Sequence, residues 1–420
     1  MDSGADTESL TEGMVEYPKL RPVEAFPTEA NGKKVLCLRD PTHCAEAVLF
    51  VLPEAVEILR YFDGKHSIVD IQAAYVRRHG QLLFREEVEA LIATLDQHYF
   101  LEGDRFAQHQ ERLEEAFRQT TTRPAFLAGR SYPPEGPELC QMLEQMLQHA
   151  EGPAGTLHPA KDTIHALIAP HIDFMRGGAG YAWAYGGLDQ RTDAELFVIF
   201  GTAHGGASRP FAPCAKDFDT PLGAVRTDRA LVEELKQRCP DLLAVDDMAH
   251  RVEHSIEFQA ILLQHLLGAK RPFQILPILC GSFHEWILAG QLPSDDPGVQ
   301  SVLEALRDLI KAQEKPVCLV AGADLAHVGA RFGDPGPITP DLLRWIEGQD
   351  REMLEPVAAG DPEGFFRFVS REKDRRRICG LPPVYTLLHL MRGRTAELLH
   401  YGQAPDPQGV VTFCSMAFPG

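Results

Sequence analysis

The chain of 420 residues reads as an α/β protein: a largely parallel sheet flanked by helices, preceded by a small α+β domain. Three stretches carry that expectation. In His165-Ala-Leu-Ile-Ala-Pro-His171 a short apolar run ends at a proline and a histidine, and three glycines and a small, aromatic-rich run to Tyr185 follow. Glu195-Leu-Phe-Val-Ile-Phe-Gly-Thr-Ala-His204 repeats the pattern, and so does Lys315-Pro-Val-Cys-Leu-Val-Ala-Gly-Ala-Asp324-Leu-Ala-His327. Continuous apolar strands alternating with helical segments belong to sheets covered on both faces. Such sheets bind ligands outside the carboxyl ends of their strands. One shared site holding His171, His204, Asp324 and His327 is therefore expected.

The bulk numbers bound the function. Hydrophobic residues at 44% supply a core, and a mean hydropathy of −0.17 fits a soluble chain. A formal net charge of −19 argues against nucleic-acid and anionic-membrane surfaces, both of which need clustered cations. No apolar run reaches the roughly 18 residues of a membrane span, and no secretory leader is expected. Nine scattered cysteines without a CxxC pair fit a reducing cytoplasm, the expected location.

In chain order, residues 1–20 are polar and acidic and are expected to be a disordered tail. Residues 21–106 read as a domain of their own. Strands are expected at 34–40 and 47–52, and helices at 53–62, from Ser67 as N-cap, and over 85–97; a wing strand is expected over 99–106. Residues 107–124 form a charged helical connector, and the α/β domain occupies 125–420. Its expected strands are 164–169, 195–201, 222–227, 273–279, 316–321 and 409–417. Helices are expected at 136–150, 178–187, 228–238, 254–267, 299–312, 340–358, 362–370 and 382–391.

Four groups could carry chemistry. His171 and His204 occupy equivalent strand ends, each with glycine close behind, where a ligand or metal can approach the backbone. Asp324 and His327 can face one cavity from a single turn, as ligands or as an acid–base pair. Cys379 lies before a proline-containing helix start and beside Arg375, Arg376 and Arg377, a setting that favours thiolate over thiol. His250, His254 and Glu257 are spaced to share a helix face, but without the HExxH order of a zinc protease. His254 and Glu257 are read as supporting groups, and His265, His284, His389 and His400 as core or solvent-facing residues.

Eight ordered segments carry a resemblance. Ala128-Gly-Arg-Ser-Tyr-Pro, Ile168-Ala-Pro-His171, Phe200-Gly-Thr-Ala-His204, Thr220-Pro-Leu-Gly, Glu253-His-Ser-Ile-Glu257, Pro277-Ile-Leu-Cys-Gly281, Ala323-Asp-Leu-Ala-His327-Val-Gly-Ala-Arg-Phe332 and Ile378-Cys379-Gly resemble the Memo family in kind and order. That family includes the AmmeMemoRadiSam system protein B members and looks like class III extradiol dioxygenases in fold. The resemblance implies an iron or copper ion held by His171, His204 and Cys379, with Asp324, His327 and His254 around it as catalytic groups. The chain departs from the family pattern at Pro170-His-Ile-Asp-Phe174, where relatives often have Pro-His-Ala-Gly-Tyr, and at His204-Gly205, where they have a His-His pair. Both changes alter the wall facing a substrate.

Around residues 30–106, Leu38-Arg-Asp-Pro and Phe62-Asp-Gly-Lys-His66 followed by helix, helix and strand resemble PqqD-like winged-helix domains, which bind peptides. A DNA-binding use is disfavoured by Asp70, Glu86, Glu87 and Glu89 on the expected helices. Together the resemblances imply a metal-dependent oxidoreductase acting on a small molecule or peptide. Radical-SAM and AMMECR-like proteins would be its partners in a modification pathway. A non-catalytic peptide- or protein-binding module on the same scaffold, or a metal buffer, is the competing expectation.

Overall fold

The computed structural model of the chain describes residues 15–30, 32–153, 163–244 and 247–420. The chain divides into two compact units, Met1–Ala116 and Phe117–Gly420.

In the smaller unit the strands Glu24–Ala30, Lys33–Arg39 and Leu49–Val51 form an antiparallel sheet in that order. The helices Pro53–Leu59, Ile68–His79 and Arg85–Gln97 accompany it, and Leu38, Ile68, Ile71, Val88, Ile92 and Leu95 share one core. Ser67 caps its helix as expected: its hydroxyl accepts from the Asp70 N–H at 3.2 Å, and Asp70 answers at the Ser67 N–H. Three expectations need correction. Of the tail, residues 1–14 lie outside the described residues, but Lys19 and Leu20 bridge to Asp63 and Leu101. The wing strand does not form. Tyr99 sits in the left-handed region at φ 64°, Leu101 makes only that isolated bridge, and a helix runs from Asp104 to Gln119. The division into units falls inside this helix, not at residue 106 or 124.

The larger unit is built on a sheet of nine strands. Four of them form a parallel centre: Ile164–Ala169, Val317–Gly322, Leu196–Thr202 and Gln274–Cys280, in that spatial order. All four read as almost unbroken apolar runs because helices cover both faces. Alternation of side chains splits each strand between two cores. Leu196, Val198 and Phe200 enter one, while Phe197 and Ile199 enter the other. Most of the flanking strands are antiparallel, while the short strand Arg226–Thr227 runs parallel to Gln274–Cys280. Gly409–Pro419 pairs with Ile164–Ala169 and then with Asp324–Val328 and Glu397–Asp406, and the short strand Phe211–Pro213 pairs with Gln274–Cys280. The sheet is thus parallel at its centre and mixed overall. The strand expected over 222–227 shrinks to Arg226–Thr227.

The helix Phe174–Tyr185 shows why glycines follow His171. A side chain at Gly180 would meet Pro170 at 2.7 Å and the Phe413 ring at 2.9 Å, so a bare backbone is needed for the helix to lie against the sheet. The carbonyl of Gly180 accepts from the Ser415 hydroxyl at 2.6 Å in that contact.

Candidate metal centre

The carboxyl ends of the three neighbouring central strands deliver the site. His171 follows Ile164–Ala169, His204 follows Leu196–Thr202, and Asp324 follows Val317–Gly322. Cys379 enters from the loop before the helix Leu381–Leu390, and its carbonyl accepts from the Thr202 hydroxyl at 2.9 Å. The Cys379 sulfur lies 3.2 Å from Nε2 of His171. One nitrogen of His171, one of His204 and this sulfur all fall within 4.8 Å of one another. These three residues, far apart in the chain, could hold a metal ion.

Hydrogen bonds fix which nitrogen of each ring is available. Nδ1 of His171 stands 2.8 Å from the Gly322 carbonyl, which only accepts, so Nδ1 carries the proton and Nε2 turns a lone pair toward Cys379. His204 is oriented the same way by a carboxylate: its Nδ1 donates to Glu253 at 3.0 Å. Glu253 also accepts from the backbone N–H groups of His204, His254 and Ser255 at 2.8, 2.8 and 2.9 Å. His204, Glu253 and His254 also stand close enough together to hold an ion. Yet a carboxylate already accepting three backbone N–H groups serves as an anchor for His204, not as a free ligand.

The electrostatics follow from burial and this anchoring. Burial holds His171 at about 3, so it stays neutral and fit to coordinate. Burial likewise lowers His254 to about 3 against the pull of Glu253. Burial also works against the charge of His204, but the carboxylate beside it and Cys379 raise it well above the usual histidine range. Glu253 is buried too, yet the two imidazoles bring it well below the usual carboxylate range. Cys379 corrects an expectation. Burial pushes its thiol up, and His204 offsets only part of that. The three arginines do not reach it: Arg375 stacks on Trp345, Arg376 pairs with Asp350 and Glu372, and Arg377 pairs with Asp334. A thiolate there would come from metal coordination, which deprotonates a thiol outright.

The remaining predicted residues take different places. Asp324 is buried and accepts from the backbone N–H groups of His171 and Ile172 at 2.9 and 3.1 Å, so it braces the turn; burial raises its pKa. His254 stacks on His204 with ring centres 4.6 Å apart and stands 5.3 Å from His171. His327 rests edge-on against Phe332, and its Nδ1 donates to the Leu325 carbonyl at 3.1 Å. The helix Glu257–Leu267 begins later than expected, so His250 does not share its face. His250 is buried against the Ala212 carbonyl, and Glu257 is buried against Arg123 and Tyr132, both structural roles. The reading from sequence passed over Glu253. Its one signal was an acidic residue immediately before His254.

Two substitutions test this build. Glu253→Gln puts an NH₂ among N–H donors and frees the His204 ring. A 10- to 100-fold loss of metal affinity is expected by competition titration, as for other groups that orient ligands. Gly322→Ala places a methyl 2.4 Å from the Ser255 carbonyl, on the residue that orients His171. The expected cost is about 1–3 kcal/mol in denaturant unfolding, with reduced metal retention; unchanged values in both would refute the close packing.

Residues 123–416 match the family description "Memo-like protein". A MEMO1 family protein of Aquifex aeolicus is 25% identical over 407 residues, 96% of this chain and 99% of that protein. One from Thermus thermophilus is 28% identical over 79% of this chain and 92% of its own length. One from Pyrococcus abyssi is 30% identical over 66% of this chain and 90% of its own length. The match over residues 123–416, which span the parallel centre, His171, His204 and Cys379, places the chain in the Memo-like protein family.

Proposed function

We propose that the protein binds an iron or copper ion through His171, His204 and Cys379 and uses it in redox chemistry on a small molecule or peptide. The observation that carries this is the convergence of two imidazole nitrogens, each on a ring oriented by a hydrogen bond at its other nitrogen, with one thiol sulfur within 4.8 Å. Ligands at roughly 2.0–2.3 Å from a shared ion stand a little over 3 Å apart, which fits the 3.2 Å between sulfur and His171. Two imidazoles and a thiolate suit iron or copper, and the sulfur favours copper(I). Such an ion would supply one-electron chemistry, or oxygen-dependent chemistry where open positions remain. The protein's own groups do the rest. His254 and His327 are placed to take or give a proton at the pocket, and Asp324 holds the His171 turn in place.

Metal analysis of protein purified without chelator tests the reading. Near-stoichiometric iron or copper is expected in the wild type, and little in His171→Ala/Cys379→Ser. Equal, negligible metal in both sinks it. Loaded protein that consumes no oxygen and oxidises no candidate substrate would point instead to metal buffering or to docking alone.

The smaller unit is proposed to hold a peptide, as the PqqD-like resemblance implies, with radical-SAM and AMMECR-like proteins as partners. One observation favours this. The strand Leu49–Val51 pairs on one side only among the described residues, and Phe50 on it is 57% exposed. An open strand edge beside exposed apolar side chains is a template for strand addition. Phe50→Asp should abolish capture of candidate peptides without altering metal content; unchanged capture removes this role.

A further inference from the structure

We propose that a second cavity, at the amino ends of the central strands, binds a small carboxylate carrying an apolar body. The cavity has a volume of about 190 Å³ and is lined by Arg307, Lys311 and Arg394 over a floor that includes Val317, Leu319 and Met391. Val317 begins the strand whose far end, Gly322, orients His171. Five residue-to-residue steps of strand separate the two, roughly 17 Å at 3.3 Å each, so this is not the metal pocket. The inference stands independently of the metal reading.

Charge is the first argument. The chain carries 60 acidic and 41 basic residues, so each cation could find a carboxylate. Here three cations converge with no carboxylate in the lining, and none of the three forms an ion pair among the described residues. The helices Pro297–Lys311 and Leu381–Leu390 both end at this place, and helix carboxyl ends attract cations. Among the described residues that accounts for one bond only: Arg307 donates to the His389 carbonyl at a long 3.3 Å. The other donors remain for a ligand. His165, at the start of the first central strand, adds an imidazole to the same lining.

Shape and polarity narrow the ligand. A cavity of roughly 150 Å³ lined by apolar groups holds a benzene-sized molecule. A floor of valine, leucine and methionine would gain nothing from inorganic phosphate, whereas an apolar tail laid on it is removed from water. A monocarboxylate the size of benzoate or hexanoate satisfies both halves.

Isothermal titration of the full-length protein with hexanoate and benzoate tests this, with hexanol, acetate and inorganic phosphate as comparisons. One site per chain is expected for the two amphipathic acids, with the comparison compounds much weaker. Arg394→Gln and Lys311→Gln should each weaken hexanoate about tenfold, the worth of a hydrogen bond to a charged group. Their thermal midpoints without ligand and their metal content should stay as in the wild type. Hexanol or phosphate binding as tightly as hexanoate would overturn the proposal. So would unchanged hexanoate affinity in both variants, or no binding at millimolar acid.

Discussion

Arg123→Ala should destabilise the larger unit by about 3–5 kcal/mol, lowering its thermal midpoint by roughly 10 °C. Arg123 and Glu257 are both fully buried and paired. The guanidinium also donates to the carbonyls of His250 at 2.9 Å, Pro124 at 3.0 Å and Glu253 at 2.6 Å. Glu257 in turn accepts from the Leu127 N–H at 2.9 Å and from the Tyr132 hydroxyl. Removing the arginine strands a buried carboxylate and unclasps the segment 250–257, which carries Glu253 and His254. Weaker metal retention should therefore accompany the lost stability. The double variant Arg123→Met/Glu257→Met, with no charge left behind, should cost clearly less than Arg123→Ala plus Glu257→Ala. Calorimetry of the set decides it, and a loss below about 1 kcal/mol in Arg123→Ala would show that the pair does not clasp this segment.

Cys379→Ser should cost more than 100-fold in metal affinity, beyond the 10- to 100-fold expected for Glu253→Gln, because it removes a donor atom and not merely an orienting group. The loss should be greater for copper(I) than for iron(II), since a hydroxyl is a harder ligand than a thiolate. The fold should hardly notice: serine is close to cysteine in shape, and the Thr202 bond is to the backbone carbonyl of residue 379. Competition with chelators of known affinity measures the first effect, and the unfolding midpoint without metal measures the second. Equal losses for both ions would mean that the sulfur is not in contact with the metal.

The parallel centre was legible because its strands are buried on both faces and so read as unbroken apolar runs, and because each ends in glycine, histidine or aspartate. Polar or twisted strands were not. Glu397–Asp406 is half-buried over most of its length and includes Gly402 and Pro405, so no alternation marks it. Glu24–Ala30 contains Pro27, which argues against a strand. In the site, His171 and His204 stood out by position, but Cys379 was singled out by its arginines, and those turn elsewhere. Glu253 was hidden for a different reason. Its role rests on three backbone N–H groups converging on one carboxylate, and that exists only once the turn at residues 253–255 is folded.

The arginines nonetheless matter to Cys379 through the backbone. Lys373, Asp374 and Arg377 adopt φ of 55°, 49° and 53°, a region that costs side-chain-bearing residues roughly 1–2 kcal/mol each. Arg376, clamped to Asp350 and Glu372, and Arg377, clamped to Asp334, hold that winding in place. Cutting either clamp should let that winding relax and carry the sulfur out of alignment, so two side chains paired away from the sulfur set how well it is held at the pocket.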